Sequence, residues 1–322
     1  MKKLNWAILG PGTIAADFAQ ALKESNGTVY AVGSRTLAKA EQFAKKYQVE
    51  KAFGSYDEML QDKNIDVVYI STPHSNHYEY ILKSLENNKH VFCEKAITVN
   101  SRQLHEIVRL AEEKQLIVAE AMTVYHMPLY KKLQEIVQSG KIGKLKMVTV
   151  NFGSCKENDV TNRFFNKDLA GGALLDIGTY ALSFARFFLS KKPNEILTTV
   201  KKFETGVDEQ SGIILKNEQD EMAVITLTMR ARMQKLGVVA GELGYITVDA
   251  FPRADKATIT YLDGTQEIVE AGNTNKALCY EIKDMEDYIF NKSSKKTLDL
   301  SVDVMDIMTD VRKQWGITYS FE

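Results

Sequence analysis

The first third of the chain alternates short apolar runs with segments in which apolar residues recur at helical spacing. The strand-like runs cover residues 4–10, 28–33, 65–71, 91–93 and 116–120. The helical segments cover residues 14–24, 38–47, 76–88 and 101–114. Ser55-x-x-Glu58 is a capping box that predicts a further short helix. Repeated strand–helix units of this kind predict a parallel sheet with right-handed crossovers.

The pattern changes after Ala121, where strand-like runs follow one another with few helices between them. These runs cover residues 144–152, 196–204, 211–215, 221–231, 235–241, 244–250 and 256–261. Helices are predicted at residues 129–139, 178–189, 276–291 and 302–314. Strands connected without helices favour an antiparallel sheet. We therefore predict an α/β protein with an N-terminal Rossmann dinucleotide-binding domain at residues 1–121. Residues 122–322 are predicted to form a C-terminal α+β domain with a large, mostly antiparallel open sheet.

Composition narrows the function classes. The 322 residues carry a net charge of −1, so no basic excess is present to neutralise the phosphates of a nucleic acid. No apolar run approaches the roughly 18 residues of a membrane span. The cysteines, Cys93, Cys155 and Cys279, are widely spaced, which fits neither a disulfide framework nor a metal cluster. These features predict a reduced, cytoplasmic protein that binds a small molecule and neither a nucleic acid nor a membrane.

Two histidines in the predicted loop near residue 75 could suggest a metal site, but their spacing argues against one. His74-x-x-His77 lacks the i,i+4 spacing of helical zinc sites. Cys93 is a third candidate ligand, but the sequence offers no set of carboxylates or cysteines that would complete the ligand shell. We predict no metal.

A glycine-rich loop, Gly10-x-Gly12-x-x-Ala15, follows the first predicted strand and opens the first predicted helix. Gly10 permits a tight turn, Gly12 lets the backbone approach a pyrophosphate, and Ala15 keeps helix and strand close. The helix start at Thr13 and Ile14 offers N–H groups and a positive dipole end to phosphates. A plain strand–helix turn is the alternative, but the strand–helix alternation that follows favours a dinucleotide site.

The end of the second predicted strand indicates which dinucleotide is bound. NAD-specific enzymes usually place an acidic residue there, where it accepts hydrogen bonds from the ribose hydroxyls. Here Ser34 and Arg35 occupy the turn; Ser34 can donate to a 2′-phosphate and Arg35 can pair with it. The sequence therefore predicts NADP as the preferred cofactor, with NAD as the other choice. In the alternative interpretation, Arg35 is a solvated charge that stacks on adenine and is indifferent to the phosphate.

Lys95 is the candidate catalytic residue. It follows the predicted strand at residues 91–93, and ligands in open α/β sheets bind outside the carboxyl ends of the strands. An ammonium group there can donate a proton or a hydrogen bond to a carbonyl oxygen while a hydride reaches the carbon. By itself, a lysine after a strand is usually solvated.

Several motifs together resemble one known family. They are the glycine loop, the segment Ser71-Thr72-Pro73-His74-Ser75-Asn76-His77, Glu94-Lys95, residues 171–180, Val304-Met305-Asp306 and residues 312–317. In this order they are similar to the Gfo/Idh/MocA oxidoreductases, and most similar to the branch of dimeric dihydrodiol dehydrogenases and NADP-dependent D-xylose dehydrogenases. The resemblance spans nearly the whole chain.

The resemblance implies roles for individual residues. Those implied to contact the cofactor are Ser71, Thr72, Pro73, His77, Glu94, Lys95 and Arg163, with Glu94 at the nicotinamide ribose. Those implied to contact the substrate are Tyr125, Phe164, Asp176 and Tyr180. Lys95, Asp176 and Tyr180 are implied to be catalytic. The i,i+4 spacing of Asp176 and Tyr180 places both on one helix face.

The sequence departs from the family pattern at two places. The proline of the family's Glu-Lys-Pro loop is Ala96 here, so the loop loses a fixed φ but no chemistry. The loop at residues 120–128 has Thr123 and Tyr125 where the branch usually has tryptophan and arginine. Because these positions shape the substrate pocket in the relatives, their substrate is not transferred to this chain.

The predicted function is hydride transfer between a nicotinamide dinucleotide and a sugar, polyol or cyclic diol or carbonyl compound. Two alternatives stay open: an NAD-dependent glycosidase that oxidises its substrate transiently, and a sensor that binds NADP without turnover. The retention of Lys95, Asp176 and Tyr180 together argues against the sensor. An antiparallel sheet with too few helices to cover both faces, together with the family resemblance, predicts a homodimer or a dimer of dimers.

Overall fold

The computed structural model describes residues 3–293 and 295–322. These residues form two compact units, and the chain passes from the first to the second after Ala121. The segment Leu278–Asp299 belongs to the first unit, whereas Val99–Ser101 and Leu300–Glu322 belong to the second. The units are therefore discontinuous in sequence, and a division into independent domains at residue 121 stays a prediction.

The first unit is built on a parallel sheet. Its strands in the described residues are β1 (Trp6–Leu9), β2 (Val29–Gly33), β3 (Lys51–Phe53), β4 (Val67–Ile70), β5 (His90–Glu94) and β6 (Val118–Ala121). They are arranged in the order β3-β2-β1-β4-β5-β6, and every neighbouring pair is parallel. The predicted Rossmann sheet is confirmed. Strand β3 was not predicted, because three residues are too few to show a period.

Helices connect these strands. They are α1 (Thr13–Glu24), α2 (Leu37–Tyr47), α3 (Tyr56–Leu60), α4 (His77–Glu86) and α5 (Ser101–Lys114). The short helix predicted after Ser55 is confirmed as α3, and the Ser55 side chain accepts a hydrogen bond from the Glu58 N–H at 3.4 Å. Aromatic side chains fill the core beside α1: the Phe18 ring stacks on that of Tyr69 at 3.7 Å, and the Trp6 ring lies 5.3 Å from Phe18.

The second unit contains a larger sheet. Its strands in the described residues are β7 (Leu145–Gly153), β8 (Glu195–Lys202), β9 (Asp208–Lys216), β10 (Met222–Thr228), β11 (Leu236–Gly241), β12 (Gly244–Asp249), β13 (Lys256–Tyr261) and β14 (Gln266–Glu270). The order is β14-β13-β12-β11-β7-β10-β9-β8. Among these described strands, β7 and β10 are parallel and the other neighbouring pairs are antiparallel. The predicted mostly antiparallel sheet is confirmed.

The remaining helices are α6 (Thr123–His126), α7 (Pro128–Gln138), α8 (Thr179–Phe188), α9 (Ala277–Asn291) and α10 (Lys295–Trp315). Helix α8 packs closely on the sheet at Gly237, where a Cβ would lie 2.4 Å from the Phe184 ring. Helix α9 returns the chain to the first unit, where Ile282 and Met285 join the core and the Trp6 indole donates to Glu286 at 3.4 Å. No helix of the described residues has the length and apolar character needed to cross a membrane.

Candidate active site

Three neighbouring strand ends meet at one edge of the parallel sheet. Strands β1, β4 and β5 are adjacent, and each ends at a segment that the sequence singled out. Gly10 follows β1, Ser71 and Thr72 follow β4, and β5 ends at Glu94, just before Lys95. Strand β1 also has β2 on its other side, so this edge is where the strand order reverses and where open α/β sheets bind ligands.

The glycine turn leaves space in front of helix α1. Gly10 has φ +98°, a conformation that favours glycine, and a Cβ there would lie in tight contact, 3.1 Å from the Thr72 methyl. A Cβ on Gly12 would meet nothing within 4 Å. Gly12 is also the N-cap of α1, with no side-chain hydrogen bond to the first N–H groups. Those N–H groups, which begin at Thr13 and Ile14, therefore face an open space that an anionic group can fill.

Thr72 provides a second indication of a ligand. Its hydroxyl oxygen is buried and has no hydrogen-bond partner in the described structure. The neighbouring Ser71 hydroxyl, by contrast, donates to the Gly10 carbonyl at 2.8 Å. Buried polar groups without a partner are rare in folded proteins. Together with the open turn at Gly12, the unpaired Thr72 hydroxyl fits a site for a dinucleotide.

Ser34 and Arg35 lie where the sequence placed them, directly after β2. The Ser34 N–H donates to the Phe53 carbonyl at 3.0 Å, and the residue is 4% exposed. Arg35 is exposed. Its charge acts on Tyr56, whose pKa is raised by burial and by Tyr80 against the opposing effect of Arg35. This turn thus presents a positive charge and no carboxylate of its own.

Two histidines hold the loop that carries Lys95. The His74 Nε2 lies 3.1 Å from the Lys95 carbonyl oxygen. The His77 Nδ1 lies 2.9 Å from the Ala96 carbonyl oxygen and its Nε2 lies 2.8 Å from that of Thr72. The peptide bond between Lys95 and Ala96 is cis.

The predicted contact of His77 with the cofactor stays a prediction. In the structure His77 is 0% exposed, and both ring nitrogens lie against carbonyl oxygens. Burial lowers the pKa of His77, which favours the neutral ring. His77 is therefore a positioning residue that joins the loop after β4 to the loop after β5.

Two further side chains position this loop, and the sequence did not single them out. The Tyr69 hydroxyl donates to the Glu94 carboxylate at 2.5 Å, which fixes one oxygen of the predicted ribose ligand. The buried Glu120 carboxylate accepts from the Ile97 N–H at 3.0 Å, just beyond Lys95. Both belong to strands that read as apolar core, so no local signal marked them.

In the second unit, Asp176 and Tyr180 occupy one face of a helix. Within residues 170–185, all of which the structure describes, these two are the only residues that are not buried. Asp176 belongs to a π-helical turn, Leu174–Gly178, which continues directly into α8, where Tyr180 lies in the first turn. π-helical turns inside α-helices occur frequently at functional sites. The structure therefore brings the predicted pair to one partly exposed face.

A buried carboxylate holds the start of this π-helical turn. The Asp208 Oδ2 accepts from the Leu174 N–H at 2.6 Å. Next to it, Gly172 has φ +125°, and a Cβ there would lie 2.2 Å from the other Asp208 oxygen. Burial raises the pKa of Asp208 to about 6. Asp208 thus positions the segment that carries Asp176, a role no spacing in the sequence indicates.

Two cations lie close to the Phe164 ring. The Lys156 ammonium is 4.0 Å from the centre of its ring and the Arg163 guanidinium is 4.3 Å from it. The Phe164 carbonyl also accepts from the Gly172 N–H at 2.9 Å, which joins this loop to the turn before Asp176. The predicted contacts of Arg163 with the cofactor and of Phe164 with the substrate stay predictions.

The predicted contact of Tyr125 with the substrate stays a prediction. Tyr125 is 2% exposed, and its hydroxyl donates to the Ser183 hydroxyl at 3.0 Å. Its ring stacks on Phe187 with 6.3 Å between ring centres. Tyr125 therefore packs in the core beside α8. Among the described residues, no group of three His, Cys, Asp or Glu side chains is arranged to hold a metal.

Comparison with known proteins agrees with these two halves. Residues 4–122 match the model of the Gfo/Idh/MocA oxidoreductase family, described as an NAD-binding Rossmann fold, and residues 130–247 match the Gfo/Idh/MocA C-terminal domain. The chain is 30% identical to the trans-1,2-dihydrobenzene-1,2-diol dehydrogenases of Danio rerio and of Sus scrofa. In both comparisons 98% of each protein is covered.

Solved structures share the fold at lower identity. A 3-ketoreductase from Actinomadura kijaniata, in complex with NADP and TDP-benzene, has a TM-score of 0.87 at 22% identity, covering 97% of this chain and 98% of that one. A levoglucosan dehydrogenase, in complex with NADH and levoglucosan, has a TM-score of 0.88 at 17% identity, covering 98% of both chains. The family matches over both halves, with full-length relatives at 30% identity, show that the chain belongs to the Gfo/Idh/MocA family of NAD(P)-dependent oxidoreductases.

Proposed function

We propose that this enzyme transfers a hydride between NADP and a hydroxyl-bearing carbon of a sugar, a polyol or a cyclic diol, or the corresponding carbonyl compound. The observation that carries the proposal is the partly exposed pair Asp176 and Tyr180 in an otherwise buried helical segment. In the first unit, Lys95 follows β5 at the same sheet edge as the open glycine turn. The names of the relatives, a diol dehydrogenase, a ketoreductase and a levoglucosan dehydrogenase, support this class.

The cofactor would occupy the sheet edge of the first unit. When bound, its nicotinamide ring supplies or accepts the hydride. The N–H groups of Thr13 and Ile14 would hold the pyrophosphate, and the unpaired Thr72 hydroxyl would find a partner there. Ser34 and Arg35 would hold the 2′-phosphate of NADP.

Three side chains would carry the acid–base chemistry. The Lys95 ammonium would donate a hydrogen bond to the substrate oxygen and stabilise the negative charge that develops on it during reduction. The Tyr180 hydroxyl would supply or relay the proton to that oxygen, and remove it in the oxidative direction. Asp176 would accept a hydrogen bond from a second substrate hydroxyl, and so fix the geometry of transfer.

A cofactor-reduction screen tests the proposal. The purified enzyme is incubated with sugars, inositols and cyclic diols, each with NAD and with NADP, and absorbance at the reduced nicotinamide band is followed. We expect net accumulation of reduced cofactor with at least one of these compounds, and more with NADP than with NAD. Hydrolysis of a glycoside without net reduction would contradict the proposal, because a transient oxidation returns the cofactor unchanged.

We also propose that two copies of the chain pair through the open face of the second sheet. One residue from each strand forms a continuous cross-strand row on that face: Leu197, Ile214, Val224, Thr149, Val238, Thr247, Thr258 and Ile268. No member is charged, none is buried, and Leu197 and Ile268 are 68% and 59% exposed. An uncharged row that crosses a whole sheet supports an interface between subunits on that face. We propose a homodimer or a dimer of dimers.

A cytoplasmic location fits the cysteines. Cys93, Cys155 and Cys279 are all free thiols in the structure. Free thiols are typical of a reducing compartment.

A further inference from the structure

A cavity of about 530 Å³ opens beside Tyr180 in the second unit. It lies where β7 and β12 end and β13 begins, and its lining includes Phe152, Tyr180, Lys235 and Arg253. Its volume is in the range that small-molecule sites occupy. The Phe152 ring is 6.2 Å from that of Tyr180, so the cavity continues directly from the proposed proton donor.

Two cations of this cavity have no carboxylate partner. Among the described residues, no ion pair involves Lys235 or Arg253, whereas Lys256, a third cation of the lining, pairs with Glu270 at 3.4 Å. The Lys235 ammonium lies 4.9 Å from the centre of the Phe152 ring, a contact that leaves its N–H donors available to a ligand. Arg253 is partly exposed.

The two carboxylates of the cavity are already occupied. The Asp249 Oδ1 accepts from the Gln234 amide at 2.6 Å, and the Asp255 Oδ2 accepts from the Thr274 N–H at 3.0 Å. Each carboxylate therefore has a neutral donor, and neither neutralises a cation of the lining. The lining has three cations and two carboxylates, and Glu270 outside the lining pairs with Lys256, so Lys235 and Arg253 are distinguished by their lack of an ion pair and not by an excess of positive charge.

The backbone holds the two free cations near each other. Lys235 immediately precedes β11, and Arg253 ends a short 3₁₀ turn, Phe251–Arg253, that follows β12. The Phe251 N–H donates to the Lys235 carbonyl at 3.4 Å, and the Arg253 carbonyl accepts from the Thr274 hydroxyl at 2.8 Å. The segments that carry Lys235 and Arg253 are thus fixed by hydrogen bonds to their carbonyl groups.

We propose that this cavity binds an anionic group of the substrate, a carboxylate or a phosphate, at Lys235 and Arg253. The inference rests on the proposed oxidoreductase function and narrows its substrate class to acidic sugars or polyols, such as uronates and sugar phosphates. The arginine fork binds planar carboxylate and tetrahedral phosphate groups in two-point contacts, and the lysine adds a second charge. The reacting hydroxyl or carbonyl would lie at Tyr180, at the other end of the molecule.

Calorimetric titration of the NADP-loaded enzyme tests this with three probes that share one ring: D-glucose, D-glucuronate and D-glucose 6-phosphate. We expect at least one anion to bind about tenfold or more tightly than glucose, and the tighter of the two identifies the carboxylate or the phosphate. Arg253→Gln and Lys235→Gln should each reduce this preference severalfold or more. Lys216→Gln, which removes an exposed lysine paired with Glu195 and Asp220, should leave it unchanged.

Failure of the anion site and failure of the oxidoreductase function give different results. Binding of both anions no tighter than glucose, or an anion preference that survives Arg253→Gln and Lys235→Gln, would overturn the anion site. Turnover of neutral sugars without any preference for anions would also overturn the anion site, but it would support the oxidoreductase function. Anion binding that depends on Arg253, in an enzyme that reduces NADP with no substrate of the screen, would instead support the anion site and contradict the proposed function.

Discussion

At the scale of single residues, we propose that the side chain at position 34 determines which of the two cofactors is preferred. The Ser34 side chain is almost completely buried after β2, and Arg35 beside it is exposed. Because a 2′-phosphate would carry close to two negative charges, a carboxylate here repels it, whereas a hydroxyl and a guanidinium attract it. The same carboxylate would accept hydrogen bonds from the ribose hydroxyls of NAD.

Ser34→Asp should therefore reverse the cofactor preference. We expect the ratio of the Kd for NADP to the Kd for NAD to rise by about tenfold or more, since one close charge pair is worth at least that factor. Ser34→Asn is the matched control, with the same shape and no charge. Titration by nicotinamide fluorescence measures both constants. Equal ratios in the two variants, or tighter binding of NADH than NADPH to the unmodified enzyme, would contradict the assignment.

At the scale of elements, the π-helical turn Leu174–Gly178 depends on Asp208. This carboxylate is fully buried, and its pKa of about 6 lies above the ordinary value because burial disfavours the charged form. A raised acid pKa means that the folded state binds a proton more readily than the unfolded state. Folding is therefore favoured increasingly as the pH falls through about 6 toward the ordinary value of 3.8.

Asp208→Asn should remove that pH dependence. We expect the stability of the unmodified enzyme relative to Asp208→Asn to increase between pH 7 and pH 4, by up to about 3 kcal/mol at most. Asp263→Asn is an opposing control, because hydrogen bonds from Thr265 lower the pKa of the exposed Asp263. Its relative contribution should be lost on acidification. Melting temperatures across this range give the comparison, and parallel curves for the enzyme and Asp208→Asn would refute the role given to Asp208.

Most elements of the first sheet could be predicted from the sequence, whereas some elements of the second unit could not. Strand–helix alternation predicted the parallel sheet, and the glycine loop marked its ligand-binding edge, because both depend on local periodicity and on a backbone that only glycine allows at Gly10. Strand β14 was missed because Gln266–Glu270 is mostly polar at the edge of its sheet. Helix α10 begins at Lys295, before the predicted residue 302, because its first turn carries little apolar pattern.

Side-chain contacts between distant segments could not be predicted from the sequence. Asp208 and Leu174 are 34 residues apart, and Tyr69 and Glu94 are 25 residues apart, so no local spacing connects them. The family resemblance implies that Tyr125 and His77 contact ligands, and these contacts stay predictions. The hydrogen bonds of Tyr125 to Ser183 and of His77 to the Ala96 carbonyl could not be predicted from local spacing.

At the scale of the whole molecule, the open face of the second sheet should determine assembly. The row from Leu197 to Ile268 crosses every strand of the sheet in direct register, with Ile214 opposite both Leu197 and Val224. On the adjacent row, Leu215, Ala223 and Val148 are buried toward the helices. The row on the face away from the helices is therefore uncharged, and ion pairs such as Lys216–Glu195 and Lys256–Glu270 flank it.

Ile214→Lys should shift the enzyme toward a monomer. A charge placed in the middle of an apolar interface loses its hydration without gaining a partner, which typically weakens association by several kcal/mol. Leu262→Lys is the matched control, because Leu262 is 76% exposed in the turn between β13 and β14, outside the row. Light scattering at micromolar concentration measures the mass. A monomeric unmodified enzyme, or a dimer that persists in Ile214→Lys, would contradict the proposed interface.

The central claim is that Lys95 stabilises charge on the substrate oxygen, and its direct test is Lys95→Met assayed with a substrate from the reduction screen at saturating NADP. We predict a fall in kcat of about a hundredfold or more, because one such group commonly contributes 10²–10⁴-fold. The Kd for NADP should change only modestly, because the glycine turn and the start of α1 hold the pyrophosphate. Lys114→Met, a surface change in the last turn of α5, is the control and should keep full activity. Near-normal kcat in Lys95→Met, with NADP still bound, would contradict the account.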